Sequence, residues 1–190
     1  MKRKTNTQRA ILDLGESFLQ DKGFNGFSYA HIAAELGVKN AAIHYHFPTK
    51  EALGCAIIQR YRDRFKLWIN NGRIKDLHPR EKLDWFFNIY TNTRADHGKV
   101  CLAGSLETEF NSLPDALRKQ TQALTRELLE WLQATLSEGK DAGLFLFVGD
   151  PADKAALILS SLQGALQMAR AMGTKKFYAV VEQNKQDLFV

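Results

Sequence analysis

Four side chains between residues 39 and 44 carry chemistry suited to the edges of base pairs. Lys39 can donate to guanine, Asn40 can pair with adenine through both atoms of its amide, and Ala41 can meet a thymine methyl. His44 returns to the same helix face one turn after Asn40. His44 and His46 stand two apart, on different faces of a helix, which argues against a metal pair. Elsewhere there is no nucleophile with its base, no suggestive pair of carboxylates, no glycine-rich phosphate loop and no metal cluster. The chain therefore reads as a non-enzyme with no cofactor.

Those four residues need a short helix presented at an angle by a tight turn. The sequence supplies helices over 29–36, after a capping Ser28, and over 40–46, joined by the turn Leu36, Gly37, Val38 and Lys39. Gly37 permits the left-handed backbone such a turn uses, and Val38 plugs the core beneath it. Helices of this length are not stable alone. Phe24, Phe27, Ile32, Ala33, Leu36, Val38, Ile43 and Phe47 are the apolar residues available to hold them. A longer helix precedes them over 6–22, with Thr5 as N-cap, Gln8 completing a capping box, and Ile11, Leu14 and Phe18 as its apolar stripe. This is a helix-turn-helix, in which the second helix enters a major groove.

The stretch FSYAHIAAELGV at 27–38, followed by AIHYHFPTKEAL at 42–53, resembles the DNA-binding signature of TetR-family transcriptional regulators. That resemblance covers about residues 7–53. It implies that Ser28, Tyr29, Tyr45, His46 and Lys50 hold phosphates, Lys50 from near the N-terminal end of the fourth helix. Tyr45 and His46 also read as packing residues that close the turn, and Ser28 is an N-cap with or without DNA. Lys39, Asn40, Ala41 and His44 depart from the residues common at those positions in the family. The arm of Lys2, Arg3 and Lys4 reads either as a backbone or minor-groove contact or as a solvated terminus.

After Pro48 the pattern gives helices over 49–71, 79–94, about 101–110, 114–141, 151–172 and 175–188, nine in all. The fold class is all-α. A helix-turn-helix DNA-binding domain over 1–48 precedes a larger helical effector-binding and dimerisation domain over 49–190. In the penultimate helix Ala152, Ala156, Ser160 and Gly164 recur every four residues as a strip that lets another helix approach closely. Leu159, Leu162, Leu166 and Ala169 would flank it, with Phe177, Val180, Val181 and Leu188 from the last helix. The family resemblance implies a two-fold interface there, and a helix-turn-helix reading a palindrome needs a second copy.

Trp68, Trp85, Phe86, Phe87, Tyr90, Phe110 and Trp131 make the body rich in aromatic residues. Trp85, Phe86 and Phe87 are consecutive and cannot all face one way. The resemblance implies an effector cavity whose occupation tilts the fourth helix. The lining suggests an apolar or aromatic effector, with Asn88, Tyr90 or His97 as polar handles. Cys101 has two readings, a thiol activated by His97 and Lys99 as an electrophile sensor or an inert core residue, and Cys55 reads as core. The segment from Cys101 to Glu109 is similar to that of electrophile-responsive TetR subgroups.

Composition sets the outer limits. A chain of 190 residues, 45% of them apolar, can bury a bundle-sized core. Its longest purely apolar runs, 144–148 and 155–159 among them, are five residues each, against about 20 for a membrane span. The N-terminus has no apolar signal region and the two cysteines lie in no metal-binding spacing, which together suggest a cytoplasmic, reduced protein with no membrane partner. Of the net charge of +5, residues 1–60 hold +3. The implied partners are a double-stranded DNA operator, a second copy of the chain and an effector. The rival reading is a helical small-molecule-binding or sequestering protein that has lost DNA binding.

Overall fold

The computed structural model describes residues 2–93 and 98–188, and among these it contains ten α-helices and no strand. They are α1 (Lys2–Lys22), α2 (Tyr29–Leu36), α3 (Asn40–His46), α4 (Lys50–Ile69), α5 (Gly72–Lys75), α6 (Pro79–Thr93), α7 (Leu102–Thr108), α8 (Asp115–Asp141), α9 (Pro151–Met172) and α10 (Lys175–Gln186). A 3-10 turn, Phe110–Ser112, separates α7 from α8. The chain forms two compact units, one of residues 1–65 with 102–124 and one of 66–101 with 125–190. These units differ from the expected division between residues 48 and 49, because segments distant in sequence pack together. His97 and the side chains of Lys2, Arg3 and Lys4 lie outside the described residues.

Several boundaries differ from expectation for identifiable reasons. Helix α1 starts at Lys2, so Thr5 sits inside it instead of capping it; Lys and Arg are good helix formers, and nothing before Thr5 interrupts the run. Its buried ridge is Ile11, Gly15 and Leu19, with Leu14 and Phe18 only half-buried. The expected helix over 49–71 ends at Ile69. Asn71 then caps α5, its side-chain oxygen accepting the Arg73 N–H at 3.1 Å, which adds the tenth helix. Starts elsewhere follow the proline and cap signals: Thr49 Oγ1 accepts the Ala52 N–H at 3.0 Å ahead of α4, and Asp150 Oδ1 accepts the Ala152 N–H at 2.7 Å around Pro151 in α9.

The first unit is built around α1, which contacts α2, α3 and α7. Its core comprises Ile11, Leu19, Phe24, Phe27, Ile32, Ile43, Phe47, Leu53, Ile57, Leu106 and Leu117, all buried. Missing side chains permit the closest approaches. A Cβ on Gly15 would lie 2.9 Å from Ile57, and one on Gly54 would lie 2.9 Å from both Leu117 and Phe24. Above this core an ionic cluster joins α1 to α4. Arg60 pairs with Asp13 and Glu16 at 2.6 Å each, and Arg64 pairs with Glu16 as well.

In the second unit α9 lies against α10. Phe86, Phe87, Phe145, Ile158, Leu162 and Phe177 are fully buried, and Asn184 donates to Ser161 Oγ at 3.0 Å between the two helices. After α8 the chain has no regular secondary structure and its burial alternates: Phe145 and Phe147 are buried, Leu146 and Val148 exposed. A Cβ on Gly139 would lie 2.0 Å from the Phe145 ring, so the ring occupies the space a side chain on α8 would need.

Candidate nucleic-acid interface

Everything at this site follows from how α3 is held. Gly37 has φ 63° and ψ 33°, the left-handed conformation expected for it, and a Cβ there would meet nothing within 4 Å. Backbone geometry, not crowding, therefore calls for glycine. The Val38 N–H returns to the Ala33 carbonyl at 3.0 Å, which closes α2 and turns the chain into α3. Ile43 is buried completely and Phe47 nearly so, while Val38 is half-buried. With its inner face fixed by these residues, α3 leaves Asn40, Ala41 and His44 exposed, with Lys39 exposed just before it. The four expected base-reading residues thus share an open surface.

The expected phosphate contacts divide. Tyr45 is 65% exposed and lies edge-to-face with His46, ring centroids 5.2 Å apart. His46 and Ser28 are half-exposed. Tyr29 is different: it is buried, and its hydroxyl donates to the Phe47 carbonyl at 2.8 Å. Burial pushes its phenol up to about 12, so the proton stays in place and joins the start of α2 to the end of α3. Here the structure corrects the expectation, because a hydroxyl committed to a carbonyl inside the fold is not a phosphate donor.

Lys50 is half-buried at the first turn of α4, with Nζ over the rings of Phe24 at 4.6 Å and Phe27 at 4.7 Å. Burial lowers its ammonium from the ordinary lysine value, and the charge of Glu109 opposes that shift. In the sequence Glu109 stands out only as the end of a short similarity. Its carboxylate accepts the backbone N–H groups of Phe24 and Asn25, and the Asn25 side chain donates to Ser112 Oγ at 2.9 Å. Ser105 Oγ donates to the Leu19 carbonyl at 2.7 Å nearby. No local pattern announces partners this far apart in the chain.

In the second unit the aromatic residues form a row, with ring centroids 5.0 Å apart for Trp68 and Trp131, 5.4 Å for Trp131 and Phe86, and 5.4 Å for Phe86 and Tyr90. The Tyr90 hydroxyl lies 3.5 Å from the buried Cys101 Sγ. Trp85 turns outward at 52% exposure and Asn88 is exposed, so neither joins the row. Phe110 belongs to the first unit. A cleft of about 360 Å³ in the second unit is lined by Leu146, Phe147, Val148, Asp150, Asp153, Lys154, Leu157 and Asp187, none of them residues expected to hold an effector. Cys55 is half-buried rather than core, its thiol pushed up by burial and by Glu51.

On α9 the small-residue strip Ala152, Ala156, Ser160 and Gly164 is exposed, and a Cβ on Gly164 would meet nothing within 4 Å. Leu159, Leu162, Leu166, Phe177, Val181 and Leu188 are buried within the unit. They belong to its interior instead of flanking an open face, and α9 and α10 pack on each other.

Residues 11–56 match the family described as "Bacterial regulatory proteins, tetR family", and residues 79–184 match "Tetracyclin repressor-like, C-terminal domain". The chain belongs to the TetR family. A TetR-family regulator from Agrobacterium tumefaciens superposes with a TM-score of 0.91 at 28% identity, covering 98% of this chain and 100% of that one. The HTH-type transcriptional repressor NemR of Escherichia coli K12 is 23% identical over 87% of this chain and 84% of its own length. AibR, solved in complex with isovaleryl coenzyme A and operator DNA, superposes with a TM-score of 0.71 at 22% identity over 96% of this chain and 97% of its own. TetR-family membership makes this chain a DNA-binding transcriptional regulator. No helix among the described residues is long and apolar enough to cross a membrane.

Proposed function

We propose that this TetR-family chain is a repressor that binds a near-palindromic operator duplex as a homodimer and releases it when an apolar or aromatic effector binds the helical body. The observation that carries this reading is the division of α3, with Ile43 and Phe47 buried and Lys39, Asn40, Ala41 and His44 exposed. Residues 1–48 supply the DNA-reading function and 49–190 the effector and dimer functions. Sequence specificity rests on Lys39, Asn40, Ala41 and His44. Ser28, Tyr45, His46 and Lys50 set affinity through phosphates.

Three further facts support the finer parts. NemR is a repressor by name, and AibR was solved with both an operator and an acyl thioester. The exposed strip Ala156, Ser160 and Gly164 has the small side chains a two-fold partner helix requires. The row Trp68, Trp131, Phe86 and Tyr90, with Cys101 beside the Tyr90 hydroxyl, gathers the aromatic surface an apolar or aromatic effector would contact.

Selection of bound sequences from random duplex DNA, with purified protein at physiological salt, tests the reading. The expected result is a palindrome whose half-sites are about one helical turn apart or a multiple of it. A folded, dimeric protein that enriches no sequence would overturn it in favour of ligand binding without DNA.

A further inference from the structure

The five histidines include two whose ring nitrogens meet backbone groups of opposite kind. His31 Nδ1 lies 3.2 Å from the Ser28 N–H, which can only donate, so His31 Nδ1 accepts and its ring proton sits on Nε2. His44 Nδ1 lies 3.1 Å from the Pro48 carbonyl oxygen, which can only accept. His44 Nδ1 therefore bears a hydrogen, and the tautomer of the neutral ring that meets this contact has its lone pair at Nε2. Tyr29 holds the same ring edge-to-face, centroids 4.7 Å apart, and Tyr29 is itself fixed by burial and by its bond to Phe47. The His44 ring is thus positioned from two sides while the residue stays exposed, on the face of α3 shared with Asn40 and Ala41.

An acceptor at that place excludes most of what a duplex offers. Phosphate oxygens, guanine O6 and N7, and thymine O4 are all acceptors and repel a lone pair. In the major groove the exocyclic amines, adenine N6 and cytosine N4, are the base-edge donors. We infer that His44 is a base-reading residue whose Nε2 accepts a hydrogen bond from an adenine or cytosine amine, and that it takes no part in phosphate binding. This deepens the proposed function and rests on α3 entering a major groove. It assigns His44 a partner complementary to that of Lys39, which can only donate.

The test begins with sequence selection by the full-length wild type and by His44→Ala. One position in each half-site should demand adenine or cytosine on a given strand for the wild type and become indifferent for His44→Ala. At that position the amine is then deleted, with 2′-deoxynebularine replacing deoxyadenosine or a 2-pyrimidinone nucleoside replacing deoxycytidine. The wild type should lose about five- to tenfold in affinity, and His44→Ala less than about twofold. Equal losses for the two proteins, a His44-dependent preference for guanine or thymine, or uniform weakening of His44→Ala on every sequence would each overturn the assignment. Histidine 15N spectra of the wild type give a reading that needs no variant. A pyridine-like Nε2 whose resonance moves on the amine-bearing duplex but not on the amine-deleted one supports the assignment, and a protonated Nε2 overturns it. Failure of the wild type to enrich any sequence removes the regulator reading itself, an outcome distinct from all of these.

Discussion

The carboxylate of Glu109 accepts the backbone N–H of Phe24 at 2.5 Å across 85 residues of sequence, and it reaches the Asn25 N–H as well. Those two amides lie between the last turn of α1 and the start of α2, where no helix supplies them with a partner. The link between α7 and the 3-10 turn thereby fixes the approach to the helix-turn-helix. Glu109→Ala leaves both donors without this acceptor and should destabilise the protein by about 1–3 kcal/mol in chemical denaturation. Glu109→Gln keeps a carbonyl oxygen at the site and should recover part of that loss. Equal stability of Glu109→Ala and the wild type would remove Glu109 from this role.

Tyr29→Phe should cost about 1 kcal/mol, because the Phe47 carbonyl loses its donor inside the fold. Its signature is pH-dependent. The phenol titrates at about 12 in the folded protein against about 10 in an unfolded chain, so the unfolded state gives up its proton first as pH rises. Wild-type stability from Tyr29 is complete below pH 10 and should fall between pH 10 and 12, while Tyr29→Phe should show a shallower fall. On DNA, the salt dependence of Tyr29→Phe should match the wild type, since no phosphate contact has been removed.

Lys50→Met keeps an unbranched apolar stem over Phe24 and Phe27 but removes the charge. Binding should weaken on every duplex alike, and the slope of log affinity against log salt should shrink by about 0.9. Asn40→Ala should instead leave the slope alone and relax preference at one operator position, at a cost of about 1–3 kcal/mol for the preferred base. Titrations of both variants on a specific and a scrambled duplex separate these outcomes. A flattened slope for Asn40→Ala with no loss of specificity would reverse the two roles.

Ser160→Glu places a carboxylate on the exposed strip of α9 without touching the buried residues Leu159 and Leu162. Helix content should be unchanged by circular dichroism, while sedimentation should show monomer at concentrations where the wild type is dimeric. Operator affinity should fall with it, since each half-site then binds alone. A dimeric Ser160→Glu protein would move the interface away from this face.

Short-range chemistry was legible in the residues themselves. Ser28, Gly37, Pro79 and Asp150 mark turns and caps through their own backbone preferences, and α2, α3 and α9 have the bounds that such signals gave. Asn71 carried the same kind of cap signal, but the expected helix over 49–71 took it as a last residue, and the four-residue α5 is too short to show a period of its own. Long-range relationships were not legible. Nothing around Glu109 points to Phe24, and nothing around Arg60 points to Asp13, because those pairs exist only once α1 lies on its neighbours. Tyr29 shows the limit of a motif: the residue type fits a phosphate donor, and its burial and its bond to Phe47 decide otherwise. The leucines of α9 show the limit of periodicity, which identifies an apolar face but not whether α10 or another molecule covers it.

Gly139 and Phe145 behave as a single unit of variation. The ring of Phe145 fills the space in front of the Gly139 Cα, 2.0 Å from where a Cβ would stand, and both the Leu144 and Phe145 amides return to the Gly139 carbonyl. Enlarging position 139 alone would expel the ring, and shrinking position 145 alone would open a void beside α8. Across descendants of this chain, substitutions at the two sites should be inherited together, glycine with an aromatic residue or a larger residue with a smaller one.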